Sequence, residues 1–266
     1  MSLRSMSKAL LATLAGTLLS CGFATNALAG DTTELIDVNT LEVDPAFGIS
    51  SMNKNHKPSV FTELGIVYGV LDGLNVSASV SYETEYGLAG GSAGFGIGFL
   101  TTPVDTDMFD LDVMVDFGFS PAGGYSITPQ LELNLDLDPD MSTFGFYLRL
   151  GLPIYGDFID DPAELEEDAN DTVKTDLAFD FTLGMYYTVA EGHQLLLEGG
   201  ATISNLAENV GDLETEGFVS IGYNVLITDT FELTTELAVY LPKDPDGDNV
   251  TAALTVGGVF GLLGKE

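Results

Sequence analysis

The feature that most constrains this chain is a strict period of two in its apolar residues, repeated in segment after segment from Leu41 onward. Leu74, Val76, Ala78, Val80 and Tyr82 alternate with Asn75, Ser77, Ser79, Ser81 and Glu83. Phe109, Leu111, Val113, Val115, Phe117 and Phe119 alternate with Asp110, Asp112, Met114, Asp116 and Gly118. Phe144, Phe146, Leu148, Leu150, Leu152 and Ile154 do the same against Thr143, Gly145, Tyr147, Arg149 and Gly151. Successive side chains of a strand point to opposite faces, so each segment predicts a strand with one apolar and one polar face. Twelve such segments can be drawn: 41–50, 59–70, 74–86, 95–103, 108–120, 125–137, 143–155, 175–189, 194–204, 217–228, 231–241 and 250–262. Most reach the length of about 9–11 residues that crosses a bilayer at a tilt.

The same parity resolves a conflict in the composition. The chain carries 8 Lys and Arg against 41 Asp and Glu, a formal net charge of −33. Its mean hydropathy is nevertheless +0.23, and 45% of it is hydrophobic. A chain kept disordered by charge lacks such apolar content. So strong an acidity also excludes a nucleic-acid backbone as partner, because phosphate contacts need Lys and Arg. In the twelve registers no apolar-face position is charged. The opposite face holds fifteen acids: Glu42, Asp44, Glu63, Glu83, Glu85, Asp110, Asp112, Asp116, Glu132, Asp136, Asp176, Asp180, Glu198, Glu232 and Glu236. It holds one base, Arg149. Reflecting 125–137 onto 143–155 about the 138–142 turn places Arg149 opposite Glu132 or Gln130, where opposite charges stabilise a cross-strand pair.

Residues 1–29 have the make-up of a secretory signal peptide. Arg4 and Lys8 precede an apolar run from Ala9 to Leu19, and Ala27-Leu28-Ala29 forms an A-x-A cleavage site. Removing this segment takes away two bases and no acids, which deepens the net charge to −35. It also removes Cys21, the only cysteine, and leaves neither a disulfide nor a thiol nucleophile. Leu18-Leu19-Ser20-Cys21 forms a competing lipoprotein box, although Leu19 fits it poorly. Residues 30–266 are expected to form a single domain.

The connectors alternate in length. Leu71-Asp72-Gly73, 104–107, 138–142, 190–192 and 228–230 are short, whereas 156–174 and 205–216 are long. Short turns at one end and longer loops at the other are the plan of an up-and-down transmembrane barrel, and an even strand count puts both termini at the short-turn end. Pro129 falls on the apolar face of 125–137, near one strand end, where a missing ladder donor costs least. A soluble β-sandwich alternates too, but with shorter strands and edges to protect. On these residues the mature chain resembles the bacterial outer-membrane β-barrels of the small porin or channel class. Val256, Gly258, Phe260 and Leu262 resemble the C-terminal strand by which such barrels are recognised for assembly. The chain departs from the family form by running on through Gly264-Lys265-Glu266. The resemblance implies an integral outer-membrane location, with outer-membrane lipid, lipopolysaccharide and the barrel-assembly machinery as partners.

The expected functional feature is a lumen lined by Glu83, Glu85, Asp110, Asp112, Asp116, Glu132, Asp136, Arg149, Asp176, Asp180, Glu198, Glu232 and Glu236. Carboxylate rings attract cations and repel anions, so the expectation is a passive channel for small cationic or neutral solutes. Arg149 is either a strand-to-strand salt bridge or part of a constriction with charges of both signs. The alternative is a non-conducting structural or surface-binding barrel with acidic external loops. Uptake of apolar compounds is disfavoured, because Asp31 to Thr40 is too short to plug a lumen. The acidic connector 156–174 reads as a solvated loop, with capture of Ca²⁺ or Mg²⁺ as the alternative. Asp244, Asp246, Gly247 and Asp248 begin a calcium-loop pattern that fails at Thr255, where a Glu is required. The only histidines, His56 and His193, fall at opposite barrel ends, so no catalytic pair is expected. No cofactor motif is found, and the Gly-rich stretch 87–98 precedes no helix.

Overall fold

The computed structural model describes residues 36–51, 58–85, 92–106, 108–121, 124–137, 144–158, 173–207, 213–228, 230–241 and 251–263. The signal segment with Cys21, His56, most of the acidic connector and the Asp244–Asp248 turn lie outside the described residues. The strands are β1 (Leu41–Ser51), β2 (Ser59–Leu71), β3 (Leu74–Glu85), β4 (Ser92–Asp105), β5 (Phe109–Phe119), β6 (Gly124–Asp136) and β7 (Phe144–Gly151). There follow β8 (Ile154–Phe158), β9 (Val173–Leu177), β10 (Phe179–Ala190), β11 (His193–Ser204), β12 (Glu214–Thr228), β13 (Phe231–Leu241) and β14 (Thr251–Leu263).

These fourteen elements make twelve staves of one closed antiparallel barrel. Each strand pairs with its chain neighbours, and β1 closes the ring on β14 from Leu41↔Leu263 to Ser51↔Ala252. β7 and β8 are two halves of one stave, and β9 and β10 of the next. Both halves of the seventh stave face β6 in one register, Gln130↔Gly151 before the break and Ile127↔Ile154 after it. The tight turns at Gly73 (φ 77°) and Gly192 (φ 69°) use the left-handed backbone that glycine adopts without steric cost. They lie at the same rim as the start of β1 and the end of β14.

Pro129 corrects the sequence reading. It is the sixth residue of the thirteen-residue β6, not a terminal one. It is tolerated because the neighbouring stave is broken at the same level. The Pro129 carbonyl accepts from Leu152 N at 3.0 Å, and Leu152 and Pro153 separate β7 from β8. The Pro153 carbonyl in turn accepts from Ala178 N at 2.9 Å, and Ala178 separates β9 from β10. Two prolines thus share one interruption that spans three staves, instead of each disrupting an intact ladder.

Burial inverts the order of a water-soluble core. Leu183 and Ile221 are each 51% exposed, whereas Glu132 is 0% and Asp112 1% exposed. Leu64, Ile97, Phe181, Leu197, Leu237 and Leu254 belong to the same exposed apolar surface. The polar parity read from the sequence is therefore the inner face of the closed ring. No soluble sandwich has this arrangement, because its apolar face must be inside.

The chain enters the barrel through a strap at the short-turn rim. Asn39 N donates to Gly69 O at 2.8 Å, Gly69 N donates to Thr40 O at 3.1 Å, and Thr40 N closes a turn onto Asp37 O at 3.0 Å. Asn39 adopts φ 64°, and its side-chain oxygen accepts from the Tyr68 hydroxyl at 3.1 Å. Asn75 is 1% exposed, and its amide pairs with the Ile36 backbone, accepting from N at 2.8 Å and donating to O at 3.3 Å. A Cβ on Gly69 would collide with the carbonyls of Asp37 and Ile36. Gly69→Val is expected to dislodge this strap at a local cost of about 1–3 kcal/mol. Hydrogen exchange should show faster exchange at Asn39 and Thr40, with the distant β10–β11 ladder unchanged.

Candidate functional site

The inner face contains a charged network built around one guanidinium. Arg149 on β7 stands opposite Glu132 on β6 in the observed register, one of the two partners expected from reflection about the turn. Its Nε donates to Glu132 Oε2 at 2.5 Å, and the two side chains are 10% and 0% exposed. The guanidinium also lies over the Tyr147 ring, 5.6 Å from its centroid, on the same face of β7. The Tyr147 hydroxyl donates to Glu198 on β11. This bond passes across β10, and it can do so because Gly184 has no side chain: a Cβ there would enter the Tyr147 ring. Ser220 on β12 donates to the other Glu198 oxygen at 3.3 Å.

Neutral groups hold the remaining carboxylates of this region. The Asn134 amide donates to Asp110 at 2.8 Å and to Asp112 at 3.1 Å, bridging two acids that share one face of β5. Thr102, beside the irregular register between Thr101 and Val104, donates to Asp112. Gln130 donates to Asp116 at 3.4 Å. The structure therefore brings Asp110, Asp112, Asp116, Glu132, Arg149 and Glu198 together across β5–β7 and β11. Among inner-face residues whose side chains are described, Arg149 is the only base.

Glu236 on β13 adjoins this network through Ser220, Glu198 and Arg149, and the other expected residues lie apart from it. Glu83 is half-buried and registers with Ser92 on β4, and the Glu85 side chain lies outside the described residues. Asp136 registers with Gly145, near the short-turn end. Asp176 accepts from the adjacent Leu177 N at 2.7 Å, and Asp180 registers with Thr202. Glu232 is buried opposite Val259, and Glu236 stands opposite Thr255. Sequence reasoning named Gln130 only as a possible neighbour of Arg149 and passed over Tyr147, Asn134 and Thr102 as site residues. Tyr147, Asn134 and Gln130 share strand parity with the expected inner-face residues, and that parity was the available signal. His193 points outward and shares a 2.6 Å hydrogen bond between its Nδ1 and the Tyr223 hydroxyl.

The inner wall is uneven in relief. One row runs in register through Gly65, Ser79, Gly96, Gly118 and Ser126, across β2 to β6. The facing staves β7 and β10–β13 carry Tyr147, Arg149, Tyr186, Leu196, Phe218 and Tyr240 at inner positions.

Two substitutions test how this network is held. Gly184→Val should displace Tyr147 and destabilise the barrel by about 1–3 kcal/mol, more than Tyr147→Phe, which removes only the hydroxyl. Arg149→Met leaves Glu132 buried without its counter-charge and should cost about 3–5 kcal/mol, with part of the loss recovered by adding Glu132→Gln. Urea unfolding of the lipid-reconstituted barrel, followed by heat-modifiable gel mobility, measures both.

No protein-family model and no curated protein sequence matches this chain. Solved structures do match it. An outer-membrane channel from Pseudomonas putida F1 superposes with a TM-score of 0.66 and 13% identity over 89% of this chain and 100% of its own. The NanC porin gives 0.61 and 13% over 83% of this chain and 100% of its own. The translocator domain of the autotransporter NalP from Neisseria meningitidis gives 0.54 and 11% over 96% and 97%. At these identities the shared property is the fold, and one fold serves both channels and a translocator. The chain has the closed twelve-stranded architecture of the small outer-membrane β-barrels.

Proposed function

We propose that this protein is an integral outer-membrane channel for passive diffusion of small cationic or neutral solutes. The observation that carries the reading is the inverted distribution of side chains: a closed ring with apolar residues exposed outside and carboxylates inside, relieved by one described base. The outer surface suits lipid, because hydrocarbon offers no water to an open sheet edge and the pairing of β1 with β14 removes the edges. The inner carboxylates raise the local concentration of cations and repel anions. Nothing in this reading requires a reacting group, so the barrel acts as a conduit and not as an enzyme. The similarity in fold to the Pseudomonas putida channel and the NanC porin agrees with it. Export through a cleaved signal peptide at 1–29, contact with lipopolysaccharide and delivery by the barrel-assembly machinery follow from the same reading. The acidic external loops are then positions where divalent cations could bridge neighbouring surface groups.

A second reading rests on a specific observation. Glu132, Asp112 and Tyr147 are essentially inaccessible to water, so the β5–β7 side of the lumen is filled. A small barrel can be filled by side chains altogether, and it would then serve a structural or surface-binding role. Conductance separates the two readings.

Planar-bilayer recordings in a KCl gradient should give a reversal potential of the sign set by K⁺ permeation. Arg149→Ala should raise the cation-to-anion permeability ratio by about two- to fivefold, because it removes the one described inner-face base and leaves Glu132 without its counter-charge. Anion preference in the wild type would refute the proposed selectivity. Absence of any conductance would favour the filled barrel.

A further inference from the structure

Asp44 on β1 stands outside the Arg149 network. It is 2% exposed, and neither carboxylate oxygen has a hydrogen-bond partner. Its side chain leans over Gly65 on β2, with Oδ2 3.6 Å from the position a Cβ would take there. Glu42 lies two residues along on the same face. Glu63 is its diagonal neighbour, since Asp44 pairs with Gly65 and Glu63 with Ala46. Diagonal neighbours in a sheet are within reach of each other's side chains. A buried ionised carboxylate without a donor is strongly disfavoured, and a cation beside it removes that penalty. At this corner a proton or a cation beside Asp44 relieves that penalty.

The geometry also limits what that ligand is. No group of three or more His, Cys, Asp or Glu among the described residues is placed to hold a metal ion by direct coordination. A divalent ion needs several oxygens converging on it, so the ligand taken up beside Asp44 is a singly charged one. Gly65, which has no side chain of its own, lies directly beside the Asp44 carboxylate on β2.

We propose that Asp44, flanked by Glu42 and Glu63, is a binding station for a single monovalent cation, an alkali-metal ion or a primary ammonium group, at the edge of the Gly65–Gly118 row. The station deepens the channel reading, because its ligand arrives through the lumen. It marks the point at which a permeating cation pauses and sheds part of its water.

A ligand that binds only the folded barrel raises its melting temperature, and this test needs no current. The detergent-folded full chain is melted in rubidium chloride, in methylammonium chloride and in N-methyl-D-glucamine chloride at equal ionic strength. The wild type should melt about 3 °C higher in rubidium or methylammonium at about ten times the dissociation constant, and the salt that acts identifies the ligand. Asp44→Asn should abolish the difference, Glu63→Gln should require about fivefold more salt for the same shift, and the exposed turn variant Asp72→Asn should behave as wild type. Equal melting of the wild type in all three salts, or an undiminished shift in Asp44→Asn, overturns the station. Bilayer recordings judge the channel reading separately. A shifted but non-conducting wild type keeps the station and removes the channel, and a conducting wild type without a shift does the reverse.

Discussion

Every other property of this protein depends on the closure of the backbone hydrogen-bond ladder. An open sheet presents unpaired N–H and C=O groups at each edge, and hydrocarbon has no water to satisfy them. Pairing β1 with β14 removes the edges and divides space into an outside and an inside. The alternation along each strand then acquires its meaning. Leu183 and Ile221 face outward, where a buried charge would cost about 2–4 kcal/mol at a bilayer midplane. The acids have only the inside available to them.

Confining so many carboxylates to one interior creates a second problem, which the structure solves unevenly. On the β5–β7 side one guanidinium and several neutral donors divide the charge among them. Asn134 bridges Asp110 and Asp112, Gln130 reaches Asp116, and Arg149 neutralises Glu132. On the β1–β2 side Asp44 has no such donor. Two differently treated acidic regions therefore share one lumen, and this asymmetry is what gives the interior direction and chemistry.

Small residues set the shape in which these charges act. Gly184 lets Tyr147 lie across a whole stave to reach Glu198, which fills one half of the interior. The Gly65, Ser79, Gly96 and Gly118 row adds little bulk at one level of the wall across β2 to β5. Gly69 admits the Ile36–Thr40 strap against the wall at the short-turn rim. The bulk missing from a few positions thus matters as much as the charge present at others.

The sequence by itself determined the strand count, the twelve segments, the face assignment and the pairing of Arg149 near Glu132. These follow from local periodicity and from reflection about a short turn, which need no knowledge of distant contacts. Strand parity likewise put the acids on a common face without saying which of them meet. Only the tertiary structure decided that. Tyr147 and Glu198 are separated by 51 positions and come together because β10 lies between their strands with a glycine at the crossing. Pro129 looked like a strand-end residue and proved central, because the break that accommodates it belongs to a neighbouring stave. The lack of a partner for Asp44 was equally invisible in one dimension. Whether a carboxylate is paired depends on which side chains the closed ring aims at it, and that is fixed by register and stagger across strands, not by spacing along the chain.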